Sequence, residues 1–393
     1  MVLNNVLVAF GGISPEHEVS VLTAIQAMEA LKETEYRCVP LYISKHGQWF
    51  TGEVLTDLKN FKDLNQLTRN ATPCTFSFDE NGRAILLETE FSLFKKPKKA
   101  LIDAVLMAFH GADGENGSFQ GVCEVFNLPY TGSPVAGAAV GMDKRMAKEI
   151  CRAHDIPVVD DIWFSENDWV NNSEEIIQKA KKIGFPLFVK PAHLGSSIGV
   201  KKTNTVDDLE KAIETGFRYD NILLVEKGVS PLTEINCSVL GTYDEQKVSV
   251  CERPLGSEEL LSFEDKYMSS GGGKGMASAS RIIPADISDE LTAAIQDTAR
   301  NVFRVLGGSG LARLDFLVDK NNNQLYFNEI NTIPGSFSFY LWDKSGLTFP
   351  ELLKELISIA KKENQRKNGR VRSHETNLLN EKAATGIKGL KGK

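Results

Sequence analysis

The opening of the chain constrains its fold more than any other stretch. A short apolar run over 6–10 ends at the glycine pair Gly11-Gly12. Apolar residues then recur at helical spacing over 21–32, and a second apolar run covers 37–43. A strand, a helix and another strand in this order predict a βαβ unit, and therefore a parallel sheet with the glycine turn at its carboxyl edge. A further buried strand is predicted over 104–109.

The rest of the chain differs in pattern from this opening. At 393 residues the chain exceeds what one hydrophobic core usually fills, so two or three domains are expected. Small residues from 133 are followed by a predicted helix that carries 142–144 and extends to about 153. Short apolar runs between helices predicted over 173–184 and 289–306 indicate strands, and two more strands flank the turn at 319–323. The last predicted helix covers 349–360, whereas residues 51–100 fit no regular pattern. We therefore expect an α/β protein, α+β overall.

Composition and charge argue against two kinds of partner. Hydrophobic residues make up 42% of the chain, but no apolar run approaches the roughly 18 residues of a membrane span. The net charge is −7, while residues 361–393 carry +7, so the body is acidic at −14. Such a body argues against nucleic-acid binding. The basic tail is expected to be disordered and solvated, with RNA or membrane contact as the alternative.

The start of the chain and its cysteines predict a compartment. The first residues lack the basic stretch and the cleavage site of a signal peptide, which predicts a cytoplasmic protein without export. The six cysteines are far apart and form no CxxC pair. We therefore expect reduced thiols, several of them buried.

A glycine- and serine-rich loop, 193–199, suggests phosphate binding. Its backbone N–H groups and two hydroxyls can surround phosphate oxygens, although a β-hairpin turn would have a similar composition. It is no Walker A loop, because strands are predicted on both sides. Lys190, at the end of an otherwise apolar strand, and Lys144 favour the phosphate interpretation, since lysine is a compact charge suited to a polyphosphate.

The strongest chemical signal lies on two later strands. Arg313 and Asp315 alternate with apolar residues and so share one face, and Glu329 and Asn331 repeat this arrangement. Carboxylate and amide oxygens suit Mg²⁺, which also binds substrate phosphates. The alternative is a salt bridge from Arg313 to one of the carboxylates. His110 is either a satisfied turn histidine or, as we favour here, a substrate contact.

These residues, in this order, resemble the ATP-grasp ligases and, among them, the D-alanine–D-alanine ligases. The likeness runs from about residue 5 to 360. Besides the residues above, it rests on the following stretches: 11–20, 110–121, 130–133, 142–144, 266–267 and 331–335.

The resemblance implies a two-step reaction for cell-wall peptidoglycan precursors. ATP phosphorylates the carboxylate of one D-alanine, and the amine of a second D-alanine attacks the acyl phosphate. Two Mg²⁺ ions are implied, with Mn²⁺ as a substitute, and the expected assembly is a homodimer. The implied fold is an N-terminal βαβ domain over 1–135, a central ATP-grasp subdomain over 136–227, and a C-terminal ATP-grasp domain over 228–360.

The resemblance also implies roles for individual residues. The catalytic group comprises Glu16, Ser196, Tyr267, Arg313 and Gly335. The ATP-binding group comprises Lys144, Lys190, Ser197, Glu226, Lys227, Val229, Glu234 and Lys266. The metal ligands are Asp315, Glu329 and Asn331. Substrate is bound by Glu16, His110, Tyr340 and Leu341. Residues 266–281 are expected to form a lid that excludes water.

One departure weakens the implied choice of the second substrate. Where the family usually carries a His-Ser pair that holds the second carboxylate, this chain has Phe339-Tyr340. We expect the Tyr340 hydroxyl to take over that hydrogen bond. A related ligase that uses D-serine or another second substrate is the main alternative, and a non-catalytic nucleotide-binding module is a further one.

Overall fold

The computed structural model of the chain contains three larger sheets and one two-stranded ribbon within the residues that it describes. Those residues are 4–90, 97–255, 281–374, 376–377, 379–380 and 383. Lys266, Tyr267 and the predicted lid, apart from Arg281, lie outside the described residues.

The N-terminal part confirms the predicted βαβ opening. Its elements are β1 (Asn4–Gly11), α1 (His17–Leu31), β2 (Tyr36–Ile43), β3 (Trp49–Thr51), α2 (Leu64–Asn70), β4 (Thr72–Phe78), β5 (Ala84–Glu88), β6 (Lys99–Leu101), β7 (Ala104–Met107), α3 (Ala112–Glu115) and α4 (Ser118–Val125). They form a sheet of order β6-β5-β4-β3-β2-β1-β7. β1 pairs in parallel with β2 and β7, and the other neighbours are antiparallel. The described residues between 51 and 100 thus extend the sheet through strands of three to seven residues, with short helical turns between β3 and β4.

The central part is a four-stranded antiparallel sheet with helices. Its elements are α5 (Val135–Met142), α6 (Lys144–Ala153), β8 (Asp161–Ser165), α7 (Glu166–Ile183), β9 (Leu187–Pro191), β10 (Lys201–Thr203), α8 (Val206–Gly216) and β11 (Ile222–Lys227). The strand order is β10-β9-β11-β8. The loop 193–199 connects β9 to β10, as the sequence predicted.

The C-terminal part supplies a second antiparallel sheet. Its elements are β12 (Leu232–Gly241), β13 (Gln246–Val248), β14 (Arg253–Pro254), β15 (Arg281–Ile282), α9 (Asp289–Val305), β16 (Gly310–Asp319), β17 (Leu325–Asn331), α10 (Phe339–Lys344) and α11 (Phe349–Asn368). The order is β13-β12-β16-β17, and β14 pairs with β15 in a separate ribbon.

Three predicted helices have different ends in the structure. The helix expected to carry 142–144 is broken at Asp143, whose extended backbone and side chain cap the start of α6. α7 starts at Glu166, because Ser165 and Asp168 form a capping box there, but its backbone is not helical at Asn172. The helix predicted over 173–184 therefore corresponds to the part of α7 that follows this kink. α11 continues past the predicted end at 360, so the start of the basic tail is helical rather than disordered. The ion pair between Arg366 and Asp244, at 2.8 Å, helps to hold it.

The hydrophobic cores link distant parts of the chain. Leu352, Leu353, Leu356 and Ile357 of α11 are at most 1% exposed and join the core that α1 forms with the N-terminal sheet. A second core lies between α9 and the C-terminal sheet, and a third packs α7 and α8 on the central sheet. The domain boundaries at 135, 227 and 360 stay predictions.

Two further expectations concern the cysteines and the membrane. All six cysteines are free thiols and five of them are buried, which confirms that prediction. Among the helices that the structure describes, none combines the length and the apolar character needed to cross a bilayer.

Candidate functional site

The carboxyl edge of the N-terminal sheet brings Glu16 to the loop 193–199. Glu16 precedes α1 and is buried, and the Ser196 hydroxyl donates a hydrogen bond to its carboxylate. A β-carbon on Gly195 would lie 2.9 Å from Glu16 Oε2, so a larger residue there would force the Glu16 carboxylate to move. Ser196 and Ser197 both have positive φ, at 52° and 60°, a strained backbone that a functional loop can justify.

His110 lies at the same edge but is held by protein groups. Its Nε2 is 2.8 Å from Thr23 Oγ1, and its backbone oxygen accepts from the Ser14 hydroxyl at 2.7 Å. Burial, with help from Arg313, lowers the pKa of His110 to about 3, so its ring is neutral. This geometry favours the satisfied-histidine interpretation over a direct substrate contact.

Glu115, which the sequence analysis missed, ties this edge to the loop after β17. Its carboxylate accepts hydrogen bonds from the backbone N–H groups of Gly111, at 2.9 Å, and Ile333, at 3.2 Å. Burial and the nearby Glu16 raise the pKa of Glu115 to about 7. Glu115 lies within 110–121, one of the stretches that carry the family resemblance, so the resemblance could have identified it.

Lys144 connects the glycine-serine loop to the later strands. As the first residue of α6, it directs its Nζ to the backbone oxygen of Leu194, at 2.7 Å, and to Glu329 Oε2, at 3.2 Å. Its backbone N–H also donates to Ala192, at 3.0 Å. The break at Asp143 therefore positions this lysine.

Lys190 and Glu226 form a buried ion cluster next to the loop. Lys190 Nζ is 2.6 Å from Glu226 Oε2 and donates to Asn328 Oδ1 at 3.1 Å. Lys148, absent from the predicted site, lies 2.9 Å from Glu226 Oε1. Burial lowers the pKa of Lys148 to about 8 despite Glu226. For Glu226, burial would raise the pKa, but the two lysines outweigh it and lower the pKa to about 2. Its place one turn after Lys144 was the signal for Lys148.

Arg313, Asp315, Glu329 and Asn331 share one patch of β16 and β17. Asp315 pairs directly with Glu329 in the sheet register, and Arg313 pairs with Asn331. The Arg313 guanidinium donates twice to Asp315, at 2.7 and 2.8 Å, and the Asn331 amide donates at 3.2 Å. The salt-bridge alternative is therefore present. In the described part of the chain no three His, Cys, Asp or Glu side chains form a metal-binding group.

This patch nevertheless has the donor chemistry of a magnesium site. Two carboxylates from adjacent strands and one amide side chain supply only oxygen donors of the kind that Mg²⁺ prefers. The set therefore fits the predicted metal. Asp315 would share its oxygens between Arg313 and the ion.

Tyr340 lies in a buried group at the far side of Arg313. Its hydroxyl donates to Glu252 Oε1 at 3.1 Å rather than standing free for a substrate. Glu252 also accepts from Arg281, at 2.8 Å, and from the Asn236 amide, at 3.1 Å. The Arg281 guanidinium stacks 4.1 Å from the centre of the Tyr340 ring. No local sequence signal marked Glu252, and Arg281 was predicted only as the last residue of the lid.

The loop between β17 and α10 is strained next to this group. Gly335 is buried, and Ser336, Phe337 and Ser338 all have positive φ. The Ser336 N–H donates to Thr23 Oγ1 at 3.0 Å, which fixes the loop to α1. Leu341 follows, fully buried.

The remaining predicted ATP residues lie along β11 and β12. Lys227 Nζ donates to the backbone oxygens of Gly184 and Phe185, at 2.8 and 3.1 Å, at the end of α7. Val229 and Glu234 are partly exposed beyond it. Contacts among the described residues thus link Glu16, the loop, Lys144 and the β16–β17 patch into one continuous site, with Lys190 joined through Asn328 of β17.

Comparison with known proteins assigns this chain to a family. The model for the D-ala D-ala ligase N-terminus matches residues 5–133, and that for the D-ala D-ala ligase C-terminus matches 150–358. A D-alanine–D-alanine ligase of Thermosipho melanesiensis is 39% identical over 95% of this chain and 98% of its own. One of Bacillus cytotoxicus is 36% identical over 89% and 94%.

Solved structures agree with these sequence matches. The D-alanine-D-alanine ligase from Coxiella burnetii has a TM-score of 0.78 at 28% identity, covering 98% of this chain and 99% of its own. The VanG D-Ala:D-Ser ligase from Enterococcus faecalis has a TM-score of 0.76 at 28% identity, covering 91% and 99%. The chain therefore belongs to the D-alanine–D-alanine ligase family, and it is an ATP-dependent ligase with the ATP-grasp fold.

Proposed function

We propose that the protein joins two D-alanine molecules into D-alanyl-D-alanine for peptidoglycan precursors, through an acyl phosphate. The observation that carries this proposal is the unbroken chain of contacts from Glu16 and Ser196, through Lys144, to Glu329, Asp315 and Arg313. It brings a carboxylate suited to an ammonium, a loop suited to phosphates and an arginine suited to an oxyanion into one site.

In the first step, a carboxylate oxygen of the first D-alanine attacks the γ-phosphorus of ATP, and the bond to the β-phosphate oxygen breaks to release ADP. Glu16 holds the ammonium of this D-alanine, and Ser196 orients Glu16. Lys144 and Lys190 neutralise the phosphates, while Ser197 and the loop N–H groups align them. The D-alanine carboxylate and the γ-phosphate of ATP, both anions, can approach each other because these groups offset their repulsion.

Mg²⁺, held by Asp315, Glu329 and Asn331, supplies further charge neutralisation when it is bound. Arg313, adjacent to all three, stabilises the acyl phosphate. The adenosine part of ATP lies along Glu226, Lys227 and Val229, with Glu234 toward the ribose. Lys266 and Tyr267 are assigned to the phosphates and to the Glu16–Ser196 pair by resemblance alone.

In the second step, the amine of another D-alanine attacks the acyl carbon. A tetrahedral intermediate forms. The bond between its central carbon and the oxygen that carries the phosphorus then breaks, so inorganic phosphate leaves, and the nitrogen loses its proton. Arg313 and the backbone N–H of Gly335 stabilise the oxyanion. We assign the second carboxylate to Tyr340 and the backbone near Leu341. The Tyr340 hydroxyl can change partner because Arg281 and Asn236 still pair with Glu252.

Phosphate release from ATP tests the proposal. D-Alanine alone should support release, whereas L-alanine should not. Release only when D-serine or D-lactate accompanies D-alanine would instead favour the second-substrate alternative, which the likeness to a D-Ala:D-Ser ligase and the Tyr340 group motivate. No release with any pair would indicate a non-catalytic module.

The assembly and the location of the protein complete the proposal. We propose a homodimer, supported by the family resemblance and testable by light scattering of the purified protein. We also propose a cytoplasmic location, where ATP is available and free cysteines stay reduced.

A further inference from the structure

His193, the first residue of the glycine-serine loop, lies between two carboxylates. Its Nδ1 is 3.0 Å from Asp220 Oδ2, and its Nε2 is 3.4 Å from Asp143 Oδ2. The backbone N–H of His193 also donates to Asp220 Oδ2, at 2.8 Å. Ionised carboxylates only accept hydrogen bonds, so a ring that faces one at each nitrogen satisfies both when it carries both protons.

The two carboxylates belong to the segments that flank the loop. Asp143 caps α6 by accepting from the Met146 N–H at 3.0 Å, and it directly precedes Lys144. Asp220 lies just before β11 and accepts from the Ile222 N–H at 3.3 Å. The imidazolium therefore joins three segments: the start of the loop, the helix that carries Lys144, and the strand that carries Glu226.

The surroundings of the ring favour its charged form. Hydrogen bonds to Asp143 and Asp220 raise the pKa of His193 to about 9, against the opposing effect of burial. Arg145 is the other charged group at this place on α6, and it pairs with Asp143 at 2.8 Å. The ring is 41% exposed, so solvent screens these interactions in part.

We propose that charged His193 is a positioning residue, which holds the loop and Lys144 in the arrangement that binds the phosphates of ATP. This inference rests on the proposed function, because that function assigns the phosphates to the loop. We assign His193 no direct contact with phosphate. It acts through the backbone of the loop and through the cap of α6.

Direct binding of ATP in the presence of Mg²⁺, without D-alanine, tests this role. At pH 7.5, His193→Gln should weaken binding roughly three- to tenfold, the range for a charge-assisted hydrogen bond that is partly screened. His193→Arg, which stays charged, should bind within about twofold of the wild type. His154→Gln, at the exposed far end of α6, is the matched control and should change nothing.

The pH dependence separates this role from simple packing. Because the folded pKa exceeds the ordinary value of 6.5, the contribution is complete below about 6.5 and is lost as the pH rises through 9. Wild-type affinity should therefore fall relative to His193→Arg between pH 8 and 10. The ratio cancels every other group that titrates in this range.

A nuclear magnetic resonance titration of the His193 ring provides a readout independent of ATP. Its midpoint should lie near 9 and should fall in Asp220→Asn, which removes one charge but keeps an accepting oxygen. A midpoint at or below 6.5, or His193→Gln binding ATP as well as the wild type, would overturn this role alone. Wild-type protein that binds no ATP at any pH would overturn the proposed function and this role with it.

Discussion

Two buried carboxylates, Glu226 and Glu252, mark opposite ends of the site and differ in their partners. Glu226 contacts two lysines, Lys148 and Lys190, so its cluster keeps one positive charge. Among the described residues, Glu252 forms an ion pair with one cation, Arg281, and accepts from neutral donors, so this cluster is neutral. Arg313 also lies close enough to act on Glu252 electrostatically, but its own charge is paired with Asp315. A surplus positive charge suits the polyanion ATP, whereas a neutral group suits an amino acid that carries both charges.

The extra positive charge of the Glu226 cluster is energetically unfavourable in a buried position. An unbalanced buried cation is unfavourable, and burial accordingly lowers the pKa of Lys148 to about 8. An incoming phosphate would remove this imbalance. The end that we assign to ATP therefore carries a charge that an anionic ligand would balance, while the end that we assign to the second substrate is already paired.

The largest effect is expected where the two ends meet. Asp315→Asn or Glu329→Gln should lower turnover at least roughly a thousandfold, because each removes a charge that faces both metal and phosphate. Circular dichroism should show an unchanged fold. Asp319→Asn, at the other end of β16, is the control. Near-normal turnover in both site variants would reject the metal assignment.

The next effect tests the surplus charge itself. Lys190→Met leaves Glu226 paired with Lys148 alone, which makes the cluster neutral. ATP should then bind about a hundredfold more weakly, the upper range for a hydrogen bond to a charged group. Calorimetry measures this, with Lys201→Met on exposed β10 as the control. Unchanged affinity would show that the charge difference between the two ends does not select ATP.

Tyr340→Phe probes the neutral end. Loss of the hydroxyl should raise the Michaelis constant of the second D-alanine roughly ten- to a hundredfold, about 1.5–3 kcal/mol for a hydrogen bond to a carboxylate. The first-site constant and ATP affinity should barely move. Tyr243→Phe, on the exposed surface, is the control. A second-site constant within twofold would mean that Tyr340 bonds only Glu252 and that another donor holds the carboxylate.

A third buried carboxylate, Glu115, differs from the other two in its partners and should affect the free energy of unfolding. Its hydrogen-bond partners in the described chain are neutral, and its pKa is raised to about 7 instead of lowered. The unfolded chain ionises first, so this group makes stability fall as the pH rises from about 4.5 to 7. Urea unfolding should show Glu115→Gln gaining roughly 1–3 kcal/mol on the wild type between pH 5 and 8. A constant difference would contradict the raised pKa.

Local patterns explain which parts of this site were predictable. Arg313 and Asp315 alternate on a strand, so their shared face follows from the period of two. The same holds for Glu329 and Asn331. Two apolar runs, over 6–10 and 37–43, flank a segment of helical spacing over 21–32, and the βαβ opening followed from this order.

The unpredicted residues depend on contacts between distant segments. Glu252 meets Tyr340 and Arg281 only because α10 and β15 pack beside the C-terminal sheet. His193 pairs with Asp143 only because the helix breaks at Asp143. A single aspartate does not predict such a break, since the chain contains many aspartates. Between 51 and 100 the described chain mixes strands with short helical turns, so no single period runs through this region.

Transfer of oxygen from the D-alanine carboxylate to phosphate tests the proposed acyl phosphate directly. D-Alanine labelled with ¹⁸O in its carboxylate should be incubated with ATP and the protein, and the inorganic phosphate examined by mass spectrometry. An acyl phosphate predicts one ¹⁸O atom in each phosphate released, together with D-alanyl-D-alanine. Dipeptide formed with unlabelled phosphate would contradict the acyl phosphate, and labelled phosphate without dipeptide would contradict the second D-alanine as acceptor.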